Sequence, residues 1–207
     1  MKYAVIADIH ANLEALQAVL RDAKEQQCTH YAFLGDFVGY CADPKACLDI
    51  VRSMNAPCVQ GEHDEWCATE LPLERGDPNA MKALQWARAQ LTEEDLQWLR
   101  DLPHIRTVED FTIVHATLDM PKTWRYAFDK GAVADSFAHQ NSHVCFCGHT
   151  HVPVAFIRGN MVRGGSYSNL RLEPGRKYSV NVGAVGQPRD GNPKAGYVIY
   201  DMNQGSI

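Results

Sequence analysis

The chain has 207 residues, enough for one well-buried α/β core and too few for two domains of usual size, so a single domain over residues 1–207 is expected. Apolar residues make up 45% and charged residues 22%, ordinary globular values that exclude disorder as the default state. The net charge of -5 is spread without long runs, which argues against a stable nucleic-acid complex or a lipid-headgroup surface.

In chain order the elements alternate. The N-terminal M-K-Y-A-V-I-A-D reads as a first strand over residues 2–7 and not as a leader, because an aspartate follows only a few apolar residues. Asn12 caps a helix with Leu13, Leu16, Val19, Leu20 and Ala23 on one face. Residues 31–34 form a second strand ending in Gly-Asp, and Asp43-Pro44 opens a helix to about Met54. Residues 57–60 read as a third short strand. Asp77-Pro78 repeats the cap-and-proline signal for a helix through Gln90, and Thr92 to Asp95 begins the next with a capping-box pattern. After Pro103 strands dominate, at residues 111–114, 143–147, 154–157, 178–181 and 197–200, with one helix near 132–140. Helices around strand-rich layers predict an α/β sandwich.

No stretch approaches membrane-span length. The seven cysteines, Cys28, Cys41, Cys47, Cys58, Cys67, Cys145 and Cys147, are odd in number and unpatterned, as in a cytoplasmic protein with reduced thiols. Cys145 and Cys147 stand two apart, a spacing that fits one face of a buried strand better than the C-x₂₋₄-C pairs of zinc-thiolate sites.

The polar residues fall at the ends of these strands. Asp8 and His10 follow the first, Asp36 the second, Glu62 the third, His115 the run 111–114, and His149 and His151 the run 143–147. In an open α/β sheet the carboxyl edge is where ligands bind. Extended residues two apart point to the same side, so D-x-H at 8–10 and H-x-H at 149–151 should each send two ligands one way. Three carboxylates and four imidazoles exceed one ion's needs and suit two divalent transition-metal ions (Mn, Fe, Zn, Co or Ni) with a shared carboxylate. His30, His104, His139 and His143 stand alone and read as structural or solvated.

The segments D-I-H (8–10), G-D-F-V-G-Y (35–40), G-E-H-D (61–64), V-H-A (114–116) and G-H-T-H (148–151) resemble, in order and spacing, the calcineurin-like metallophosphoesterase superfamily. G-Y-C-A-D-P at 39–44 and V-G-Q-P-R-D-G at 185–191 are similar to its small bacterial and archaeal phosphodiesterase branch. The resemblance runs to about Asp201. It implies a four-layer α/β/β/α sandwich with mixed sheets and a phosphoesterase acting on phosphodiesters or small phosphorylated metabolites through a metal-bridging hydroxide. Carried over residue by residue, Asp8, His10 and His151 would hold one metal and His115 and His149 the other, with Asp36 bridging. His63 would touch the phosphoryl group or protonate the leaving oxygen, with Asp64 orienting its ring. In so acidic a setting His63 is expected to favour its protonated form.

Glu62 departs from the family's asparagine. It is expected to sit in a loop and to bind the second metal through a charged oxygen, taking the site from net positive to neutral and weakening its attraction for phosphate dianions. Ala116 in place of glycine, and N-V-G-A at 181–184 in place of Asn-Pro-Gly-Ser, are small changes. Tyr40, Cys41, Trp124, Arg125, Tyr126 and Arg189 stand in loops within reach of the cleft. Arg189 is a candidate phosphate contact, and Tyr40 and Trp124 are candidates to stack a base or to pack in the core. Arg125 reads as a surface ion pair. The alternative to an enzyme is a metal-binding interaction scaffold of the same fold, the reading that Glu62 favours.

Overall fold

Strands of four or five residues form two sheets in the computed structural model, which describes residues 1–69 and 77–207. The first sheet has the order β2-β1-β9, from β1 (Lys2–Ile6), β2 (His30–Phe33) and β9 (Val198–Asp201). The second comprises β3 (Ile105–Val108), β4 (Phe111–Val114), β5 (Val144–Cys147), β6 (Val154–Arg158), β7 (Val162–Gly165) and β8 (Lys177–Asn181). Its order is β3-β4-β5-β8-β6-β7. The pair β1 and β2 is parallel, as are β4, β5 and β8, so within each sheet the carboxyl ends of these strands face one edge.

The two sheets bury Val5, Leu34, Phe111, Phe146, Tyr178, Val180 and Tyr200 between them. Each large side chain removed from water in such a layer stabilises the fold by about 1.5–3 kcal/mol. The pleat of β5 decides the question of its cysteines. Val144 and Phe146 enter the inter-sheet core, while Cys145 and Cys147 point the other way onto Val114 and Leu118. Burial pushes the Cys147 thiol up to about 12, and neither thiol belongs to a ligand group among the described residues.

Five helices cover the outer face of the first sheet: α1 (Leu13–Glu25), α2 (Pro44–Ser53), α3 (Glu62–Ala68), α4 (Pro78–Ala89) and α5 (Glu93–Arg100). Leu16, Leu48, Cys67, Leu84 and Leu99 close on Phe33 and Ile6 there. On the far face of the second sheet, α6 (Lys130–His139) packs Val133 and Phe137 against Phe156. The result is a four-layer α/β/β/α sandwich with mixed sheets. Caps explain the starts. Asn12 accepts from Ala15 N at 3.1 Å, Asp77 from Asn79 N and Ala80 N, and Thr92 and Asp95 cap reciprocally. Asp43 makes no side-chain cap bond, so proline at the first position carries the start of α2.

Three expectations change. Residues 57–60 make only an isolated bridge, Phe33 to Cys58, and not a strand. Glu62 does not lie in a loop: it opens α3, started by extended Gly61. β3 and β7 form where no strand was expected, because both lie at sheet edges and are exposed along much of their length, which removes the apolar signature. No helix among the described residues is long and apolar enough to cross a membrane.

Candidate metal centre

Six of the seven expected ligands converge. One buried group comprises Asp8, His10, Asp36 and His151, and another Asp36, His115 and His149, so Asp36 belongs to both. The convergence does not come from strand pleating. Asp8, His10, Asp36, His149 and His151 lie just beyond strand ends with φ of 55°, 48°, 55°, 67° and 59°, a left-handed conformation that non-glycine residues adopt at a cost. Backbone bonds hold these turns: Asp8 N–H donates to Gly35 O, His10 N–H to Asp36 O, and Gly148 N–H to His115 O. Asn181 donates to Gly148 O at 2.5 Å and to Thr150 Oγ1 at 3.0 Å, pinning the second histidine turn.

Hydrogen bonds at the far nitrogens aim the rings. Nδ1 of His10, His115 and His151 donates to the carbonyls of Val38 (3.1 Å), Leu34 (2.6 Å) and Gln187 (2.6 Å). That leaves each Nε2 facing inward, with its lone pair free wherever the ring is neutral. His149 is reversed: Nε2 donates to Trp124 O at 2.8 Å, so Nδ1 faces the centre. Nε2 of His10 and of His151 meet at 3.1 Å, two lone pairs in contact unless a cation or proton lies beside them. Asp36 Oδ1 accepts from His63 N–H at 2.8 Å, while Oδ2 lies 3.5 Å from His10 Nε2 and 3.4 Å from His115 Nε2. His115 Nε2 is buried without a hydrogen bond. Asp8 Oδ1 stands 3.3 Å from His151 Nε2. These donors fit divalent cations of intermediate softness.

The charges agree. Burial alone would raise both carboxyls, but His151 and His115 outweigh it at Asp8, and His115 and His63 at Asp36, holding both below their ordinary range. Burial drives His10 down to about 3 and His149 to about 4. At His115 burial opposes the charged form, yet Asp36 and Asp8 lift the ring to about 10. Two carboxylates and one imidazolium leave the centre negative, an attractor for cations.

The remaining expected residues divide. His63 lies beside the centre, its ring 4.8 Å from that of His10, with buried Nδ1 facing Gly39 and unpartnered. Burial lowers its pKa despite Asp36, the reverse of the expected protonated state, because desolvation exceeds the attraction. Asp64 makes no hydrogen bond to the His63 ring. Its carboxylate accepts from Asp36 N, Phe37 N and Gly61 N at 2.8, 2.9 and 3.1 Å, tying the Asp36 turn to the start of α3. Glu62 stands outside both ligand groups, and burial, with Asp36 adding, pushes its carboxyl up to about 7. Arg189 donates to Tyr40 Oη at 3.3 Å and to Gln187 Oε1 at 2.8 Å. Arg125 is tied to Asp119 and Asp135, as expected of an ion pair, and His30, His104, His139 and His143 stay outside the ligand groups.

Two residues matter more than their sequence context suggests. Trp124 has φ 53°, accepts from His149 and donates its indole N–H to Glu65 Oε2 at 3.0 Å, so its backbone orients the His149 ring. Tyr126 stacks on His149 with ring centroids 4.2 Å apart. No motif marks either; only the density of aromatic residues in W-R-Y-A-F hints at them.

Known proteins resemble this chain in sequence and fold. A protein of Methanocaldococcus jannaschii without an assigned function is 36% identical over 203 residues, 96% of this chain and 82% of that protein. The crystal structure of a metallophosphoesterase from Sphaerobacter thermophilus, also 36% identical, matches with a TM-score of 0.86 over 100% of this chain and 86% of that one. A hypothetical protein from Pyrococcus horikoshii, 18% identical, shares the fold with a TM-score of 0.77, again over 100% and 86%. Residues 1–205 match the calcineurin-like phosphoesterase superfamily domain. With that match and a ligand-rich centre at its strand ends, the chain belongs to the calcineurin-like phosphoesterase superfamily and is a metal-dependent phosphoesterase.

Proposed function

We propose that this phosphoesterase hydrolyses phosphodiesters or small phosphorylated metabolites at a centre of two divalent transition-metal ions, drawn from Mn, Fe, Zn, Co and Ni. Asp8, His10 and His151 would hold one ion and His115 and His149 the other. The observation that carries this reading is Asp36 Oδ2, which stands between the groups, 3.5 Å from His10 Nε2 and 3.4 Å from His115 Nε2. When bound, such a pair polarises a phosphoryl oxygen and makes water a nucleophile near neutral pH.

The chain's own side chains do the rest. With Nδ1 shut in beside Gly39, the neutral His63 ring presents Nε2–H to a bound ester, where it donates a hydrogen bond to the phosphoryl or leaving oxygen. Arg189, held by Tyr40 and Gln187, presents a guanidinium to a phosphate oxygen. Asp64 acts through Asp36, fixing the turn that carries the shared carboxylate. Glu62, at the start of α3 beside Asp36 and His115, lowers the positive potential that a dianion meets. The seven unpaired cysteines support a reducing, cytoplasmic setting.

Mn-loaded protein should release p-nitrophenolate from bis(p-nitrophenyl) phosphate, lose that activity to a chelator and regain it with Mn²⁺. Failure to hydrolyse this diester or p-nitrophenyl phosphate, in protein carrying two ions per chain, would overturn the proposal.

A further inference from the structure

A line of stacked rings leads outward from the metal centre, and none of the roles above uses it. The His149 imidazole stacks on Tyr126 at 4.2 Å and 20° between planes. Tyr126 in turn stacks on Phe128 at 5.3 Å and 6°. Two large rings left 45% and 61% exposed beside a polar cleft are not explained by core packing.

The rings are also held in place. Just before them, Trp124 is fastened by its carbonyl to His149 and by its indole to Glu65, and Arg125 is tied to Asp119 and Asp135. Just after them, Asp129 caps α6 through Gly131 N and Ala132 N. Arg189, the proposed phosphate contact, lies near enough to Tyr126 to oppose the upward shift that burial imposes on its hydroxyl, so the ladder adjoins the phosphate end of the cleft. A preorganised apolar ring surface next to a phosphate site suits a planar aromatic group, and nucleobases stack through their π-faces whatever their hydrogen-bonding edge.

We propose that the exposed ring surface of Tyr126 and Phe128 is a stacking platform for a nucleobase carried by the phosphate ester bound at the metal centre. The inference rests on the phosphoesterase reading and narrows its substrates to nucleotide-like esters. It requires little discrimination between bases, since stacking engages the π-face that every base offers.

The test is equilibrium binding to Mn-loaded protein of two probes with uncleavable P–C bonds, the 5′-methylene phosphonates of adenosine and of ribose. The wild type should bind the adenosine probe about tenfold more tightly. Phe128→Ala should bring the two Kd values within about twofold, and Phe128→Trp should keep or widen the gap. Equal Kd values in the wild type, as expected if the rings pack on another protein, would overturn the platform, as would a gap that survives Phe128→Ala. Because binding is read without turnover, a protein inactive on every ester would refute the phosphoesterase reading while the ratio still decided the platform.

Discussion

A single methyl group added at Gly61 should disable the metal centre without altering a ligand. Gly61 has φ -102° and ψ 173°, extended backbone that alanine adopts freely, so backbone strain plays no part. Its Cβ, however, would overlap Asp36 Oδ1 and the Asp36 amide nitrogen and lie 2.9 Å from Asp36 Cγ. Neither side can yield easily. Gly61 N–H is held by Asp64 Oδ2, and the Asp36 turn, at φ 55°, is held by the same carboxylate. Asp36 Oδ1 must therefore leave His63 N–H, a charge-assisted bond worth about 1.5–3 kcal/mol. Overpacking adds about 1–3 kcal/mol. A total near 4 kcal/mol corresponds to a fall of about 10 °C in Tm for a chain of this size. Metal affinity should fall about 10–100-fold, the usual effect of disturbing the support of a ligand. Calorimetry of the chelated protein followed by Mn²⁺ titration reads both quantities. Wild-type Tm and affinity in Gly61→Ala would refute the claim that this contact positions Asp36.

Asp64→Asn leaves at least one of three backbone N–H groups facing an amide NH₂, and should destabilise the metal-free protein by about 2–3 kcal/mol in urea; unchanged stability with a shifted pH optimum would instead restore a role in orienting His63. Glu62→Asn should raise kcat/KM, more for dianionic monoesters than for monoanionic diesters, and a loss of diester turnover with both ions bound would reverse the charge reasoning. Burial alone would raise the Asp95 carboxyl, but the Thr92 amide and hydroxyl, with Lys45 and Arg52, hold it below the usual range. A lowered folded-state pKa means this stability is full above the unfolded carboxylate range and is lost as pH falls through the folded value. Asp95→Asn should therefore cost about 1–3 kcal/mol at pH 7 and little at about pH 2, and a difference independent of pH would contradict that origin.

Much of the candidate centre was legible because the residues expected as ligands follow strand ends, and strand ends can be read from apolar runs. Asp8, Asp36 and His115 follow β1, β2 and β4 within three residues, and parallel pairing aligns the ends of β1 and β2 in one sheet and of β4 and β5 in the other. The means of convergence was not legible. D-x-H and H-x-H look like pleated pairs, yet all four residues sit in left-handed turns enforced by backbone bonds that no periodicity records. The role of Asp64 was misassigned for a related reason: a carboxylate adjacent to a histidine in sequence points, on the first turn of α3, at amides 27 and 28 residues away. The protonation of His63 was misjudged because proximity to carboxylates is visible in sequence and burial is not. Trp124 and Tyr126 act through a carbonyl and a ring face, features carried by geometry and by no motif.

The central claim is that one carboxylate oxygen of Asp36 serves two ions. Anomalous diffraction from crystals of the Mn-loaded protein tests it most directly. Two peaks per chain are predicted, roughly 3.5–4 Å apart, flanking Asp36 Oδ2, one toward Asp8, His10 and His151 and the other toward His115 and His149. A single peak, or a pair of peaks that Asp36 does not join, would contradict it.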